Sequence, residues 1–125
     1  MSKVISTKNA PAAIGPYSQA ILVSDTLFLS GQIPINPQTG AMEAQDIKGQ
    51  TMQVFSNIKA ILEEAGYTMD NVVKTTVMLA DMSLFADMNE IYATQFTGNF
   101  PARSAFAVKG LPKGSLVEIE LVAKR

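Results

Sequence analysis

The sequence contains no cysteine and no histidine among its 125 residues. Missing thiols exclude disulfides, thiolate nucleophiles and Cys-ligated metals, and missing imidazole excludes every catalytic triad built on histidine. Any chemistry must therefore use carboxylates, Tyr, Lys, Arg, hydroxyls or backbone groups, and no metal site is expected. Charge of one sign is lacking too: ten basic residues face eleven acidic ones, with no dense basic block. Nucleic-acid binding draws its affinity from phosphate neutralisation on a concentrated cationic face, so this balance argues against it. No run approaches the roughly 18 apolar residues that span a bilayer, and Met1-Ser2-Lys3-Val4-Ile5-Ser6 has no apolar signal region. A cytoplasmic protein without membrane association is the expectation.

What is present is enough for one domain, residues 1–125, with a hydrophobic fraction of 47%. Two short apolar runs, 19–23 and 26–30, flank Ser24-Asp25 and read as a β-hairpin buried on both faces. Asn36-Pro37-Gln38-Thr39-Gly40 is a turn. From Asp46 to Ala65, apolar residues recur every three or four positions, which predicts a helix with Asp46 as N-cap and Gly66 as C-cap. Residues 72–80 are rich in β-branched side chains and predict a central strand. A second helix is expected after Ser83 as N-cap, with Leu84, Met88, Ile91, Tyr92 and Phe96 inside and Gly98 or Asn99 closing it. Residues 103–108 and 115–123 give two further strands around the Gly110–Gly114 loop. This order predicts an α+β domain with two helices packed on one face of a mixed sheet. The stretch Thr76–Ala80 lacks clean alternation, so the other sheet face is expected to meet further subunits.

Arg103, in Pro101-Ala102-Arg103-Ser104, opens a strand between Phe100 and Phe106. A guanidinium there can grip a carboxylate bidentately; the competing reading is a structural salt bridge or a solvated strand end. Glu118 and Glu120 alternate with Val117, Ile119 and Leu121, placing both carboxylates on one strand face about 7 Å apart. One could hold a water or a proton, or both could belong to an ordinary polar face; pairing register decides which lies nearer Arg103. Tyr17, in Gly15-Pro16-Tyr17-Ser18, is a loop phenol that either lines a site or covers a core edge. Gly31, after Ser30, either lets a backbone N–H approach a ligand or merely starts a turn.

Taken in order, Asn9–Gln19, Ser30-Gly31-Gln32-Ile33-Pro34, Pro101-Ala102-Arg103-Ser104, Leu111-Pro112-Lys113 and Val117-Glu118-Ile119-Glu120 resemble the RidA/YjgF family over essentially the whole chain. The resemblance implies a chorismate-mutase-like α+β subunit, a homotrimer and clefts between neighbours. It implies hydrolysis of reactive 2-imino or enamino acids, such as 2-iminobutanoate and 2-iminopropanoate, to 2-keto acids and ammonia without a cofactor. Pyridoxal-phosphate dehydratases would supply these intermediates. By the same resemblance Arg103 holds the substrate carboxylate, Glu118 positions the attacking water, Tyr17 lines the cleft, Gly31 contributes a backbone contact beside Ser30, and Asn89 lies nearby.

Two positions depart from the family pattern. Ala105 stands where relatives often carry cysteine, so a mechanism needing that thiol is excluded, and Gly110 replaces the usual arginine before Leu-Pro-Lys. Two other activities ascribed to relatives compete with deamination. One is regulatory keto-acid binding without catalysis; the other is a translation-inhibiting endoribonuclease, which the charge balance disfavours.

Overall fold

The computed structural model describes residues 2–125. Among them the chain forms six strands and two helices: β1 (Ser2–Ile5), β2 (Ala20–Val23), β3 (Thr26–Gln32), α1 (Ile47–Ala65), β4 (Val72–Leu79), α2 (Phe85–Thr94), β5 (Ala102–Ala107) and β6 (Val117–Lys124). The strands make one sheet in the order β1-β2-β3-β6-β4-β5. All neighbours are antiparallel except β4 and β5, whose parallel pairing needs a crossover that α2 supplies. The α+β architecture expected from the sequence is the one observed. No helix among the described residues is long and apolar enough to cross a membrane.

Helix α1 forms where the apolar period runs, and it buries Ile47, Val54, Phe55, Ile58, Ile61 and Leu62 against the sheet. Asp46 occupies the N-cap position with extended backbone, but its side chain makes no capping hydrogen bond. Gly66 ends the helix in the left-handed region at φ 80°, its N–H donating to the Glu63 carbonyl. The N–H of Tyr67 reaches back to the Leu62 carbonyl at 2.8 Å and completes the cap.

The second helix departs from the expectation at both ends. Asp81, not Ser83, provides the cap: its carboxylate accepts the Ser83 N–H at 2.8 Å and starts a 3-10 turn over Met82–Leu84. Aspartate reaches an N–H two residues ahead in this way, so α2 proper begins only at Phe85. At the far end the Thr94 hydroxyl donates to the Ile91 carbonyl at 2.6 Å, and the helix stops there, before Gly98. Phe96 lies beyond the helix yet is still buried, stacked near Tyr92 and Phe55. Strand β1 was not expected: only Ile5 of its four residues is buried, so the sequence carries no alternation to signal it.

Burial sorts the sheet into two faces. Leu27, Leu29, Thr75, Val77, Leu79, Val117, Ile119, Leu121 and Ala123 point toward the helices and form the core. Strand β4 does alternate from Thr75 to Leu79, which corrects the expectation of a run without alternation. The hairpin β2–β3 is likewise buried on one face only, leaving Phe28 49% exposed. In register across the open face lie Ile21, Phe28 and Val122, then Glu120 and Thr76, then Glu118, Met78 and Phe106. Among the described residues no helix covers this face.

Candidate active site

Arg103 sits on edge strand β5, level with Thr75 of β4, and points to the helix side of the sheet. Phe85, Asn89 and Tyr92 are four and three residues apart on α2, so all lie on the helix stripe that meets β5. The Arg103 Nη1 donates to Asn89 Oδ1 at 2.6 Å. Its guanidinium carbon lies 4.6 Å from the Tyr92 ring centre and 5.4 Å from that of Phe85. The ion pairs among the described residues are Lys48–Glu90 and Lys124–Asp25, and neither involves Arg103. That removes the structural salt bridge as an explanation. A half-buried guanidinium with most of its N–H groups unspent is suited to an external carboxylate.

Glu118 occupies the opposite face. It pairs with Met78 on β4, three positions along from Thr75, and projects from the open side of the sheet. A bulge between Leu29 and Gln32 lifts Ser30 and Gly31 out of the β3–β6 ladder beside it. The Glu118 side chain fills the space where a Cβ on Gly31 would be: such a Cβ would lie 2.9 Å from the carboxyl carbon and closer still to Oε2. Glycine is therefore required here for the acid to lie against the backbone. Burial pushes the Glu118 carboxyl above the ordinary range, and the nearby Glu120 charge pushes it further up.

The Tyr17 loop is tied to the same side. Ser30 Oγ donates to the Ser18 carbonyl at 2.6 Å, and the Ser30 N–H donates to the Gln19 carbonyl at 2.9 Å. Gln19 is buried and pins the preceding segment through Thr7, Ala10 and Pro11. Tyr17 itself remains 52% exposed, after a Gly15 held at φ 125°. A shallow cavity of about 470 Å³ opens on this face between Ser18, Ser30, Phe28, Lys74, Thr76 and Glu120.

The sequence-derived residues thus fall into two groups. Arg103 and Asn89 share one cluster with Ala105, which is half-buried two positions along β5 on the same face. Ser30, Gly31 and Glu118 share the other, and the loop carrying Tyr17 is tied to it through Ser18. The groups are separated by the thickness of the sheet and by roughly 10 Å along β4, from a strand rise near 3.3 Å per residue. A single chain does not bring Arg103 and Glu118 together. Sequence reasoning missed the parts of Phe85, Tyr92 and Thr75 around the arginine. Tyr92 was legible as a core residue, and its buried hydroxyl called for a partner, which Thr75 Oγ1 provides at 2.7 Å.

Comparison with known proteins identifies the family and the fold. The family model for endoribonuclease L-PSP matches residues 7–125. A RutC family protein of Pyrococcus horikoshii is 57% identical over 98% of both chains. A mouse protein named 2-iminobutanoate/2-iminopropanoate deaminase is 51% identical over 97% of this chain and 90% of its own. The crystal structure of a conserved Rid family protein of unknown function from Yersinia pestis superposes with a TM-score of 0.97, at 53% identity and covering 100% of each chain. With a match of this extent in sequence and in fold, the chain belongs to the endoribonuclease L-PSP family, the RidA/YjgF family.

Proposed function

We propose that the chain hydrolyses reactive 2-imino and enamino acids, 2-iminobutanoate and 2-iminopropanoate among them, to 2-keto acids and ammonia. The observation that carries this reading is the opposed placement of Arg103 and Glu118. An acid-binding cluster faces one way from β5, and a desolvated carboxyl faces the other way from β6. Two copies could juxtapose the clusters where one cannot, and the uncovered apolar sheet face offers a surface for such contact. A homotrimer with three clefts between neighbours is the assembly proposed. The deaminase name carried by a 51%-identical mouse protein supports the chemistry.

The reaction asks little of the protein. An iminium carbon is already electrophilic, so orientation and delivery of water account for most of the catalysis. Arg103 holds the carboxylate and cannot itself transfer a proton. Glu118 takes a proton as a water oxygen bonds to the imine carbon, giving a carbinolamine. It returns that proton to nitrogen, then takes the carbinolamine hydroxyl proton as the C=O bond forms and the C–N bond breaks. That proton passes to the departing ammonia, leaving a 2-keto acid and ammonium. A carboxyl pushed up by burial is a better base than an ordinary one. No cofactor enters these steps. Pyridoxal-phosphate dehydratases, which release such imines, are the proposed functional partners.

The test is a dehydratase reaction followed by keto-acid release, with and without the protein. Faster release is expected, with Arg103→Ala losing roughly 100-fold in kcat/KM, the scale of two lost charge-assisted hydrogen bonds. Unchanged acceleration by that variant would remove Arg103 from the site. Tight 2-ketobutyrate binding with no acceleration at all would replace catalysis with ligand sensing.

A further inference from the structure

An arginine that binds substrate through a planar fork is useful only if the plane is fixed beforehand. Arg103 carries a long, flexible side chain on an edge strand and has no carboxylate partner among the described residues. Asn89 fixes one edge of the fork in its plane, at Nη1. The guanidinium carbon lies over the ring of Tyr92, 4.6 Å from its centre.

That ring is held more firmly than core packing requires. Tyr92 is buried and enters from α2, while its hydroxyl is bonded to Thr75, itself fully buried on β4. Thr75 is the direct register partner of Arg103 on the neighbouring parallel strand. Phe96 lies tilted against the ring at 5.0 Å and Phe55 meets it edge-on at 5.7 Å, so it cannot tip away. The phenol is also kept uncharged: burial pushes it up, more than Thr75 and the Arg103 charge pull it back. It therefore offers the guanidinium a face without competing for it as an anion.

We infer that Tyr92 is a positioning residue: its ring, tied to the sheet through Thr75, sets the plane in which Arg103 meets an anionic substrate. This rests on the proposed role of Arg103 as carboxylate anchor. With the ring beneath the guanidinium carbon and Asn89 at Nη1, the other N–H groups, which carry no hydrogen bond among the described residues, are available to a carboxylate.

The experiment compares binding of 2-ketobutyrate with that of its uncharged amide, alongside kcat and KM for the imino acid. Tyr92→Leu should weaken keto-acid binding about tenfold, the scale of a partly desolvated cation–π contact, and leave amide binding unchanged. KM should rise more than kcat falls. Tyr92→Phe, which keeps the ring, should restore most of the affinity. In an Arg103→Ala background, Tyr92→Leu should cost nothing further. Equal weakening of acid and amide, or a further loss in that background, would overturn the inference. If leucine at this position unfolds the chain, Thr75→Val releases only the tether and should weaken the acid alone, by about threefold; an unaffected acid overturns the inference. Normal binding by Tyr92→Leu beside a defective Arg103→Ala overturns the positioning role only. Normal binding by Arg103→Ala overturns the anchor as well.

Discussion

Glu118 and Gly31 form a pair in which one residue exists for the other. Any side chain at position 31 collides with the Glu118 carboxyl, so Gly31→Ala should displace the acid and lower kcat by roughly tenfold or more. The colliding atoms are the mobile end of a side chain, so thermal stability should change little. Steady-state kinetics beside a melting curve separates the two. The raised pKa of Glu118 also fixes a sign. Its folded-state pKa lies above the ordinary 4.5, so ionisation is disfavoured by the fold. The associated stability is complete below 4.5 and is lost as pH rises through the folded-state value. The rate should rise with pH over the same window as the base form appears. Glu120→Gln removes the second cause of the shift and should move this acid limb downward. A limb that stays in place would take Glu120 out of the account.

At the scale of elements, Gly66 and Gln19 each hold one segment in place. Gly66→Ala puts a Cβ on a left-handed residue and should cost about 1–2 kcal/mol, seen as a melting point lowered by several degrees. Gln19→Ala should free residues 7–11 and speed their amide exchange, with α1 unaffected, because the glutamine side chain bonds Thr7, Ala10 and Pro11. The contrast between these two shows what could be read from sequence. Gly66 was legible because local helix periodicity ends just before it. The Gln19 network was not, since its partners lie 8 to 12 residues away in a loop with no pattern. The same rule explains the rest: α1 and the hairpin were evident, whereas Asp81 was hidden behind Ser83 and β1 was too short and exposed to alternate. Arg103 could be singled out from its motif, but its contacts with Asn89 and Tyr92 depend on how α2 crosses β5.

For the molecule as a whole, the sequence could not show that its two best candidates lie on opposite sides of the sheet. That follows from register: Arg103 is level with Thr75 and Glu118 with Met78, three residues apart and facing opposite ways. On the proposed reading one chain lacks a complete site, and a cleft between copies is where the two clusters would meet. Mixing two inactive variants tests this most directly. Arg103→Ala and Glu118→Gln proteins, unfolded together and reassembled in equal amounts, should regain roughly a quarter of unsubstituted activity, since random pairing completes that share of clefts. Mixed assemblies that stay as inactive as either parent would place both residues in the same subunit's site and contradict an active site built between copies.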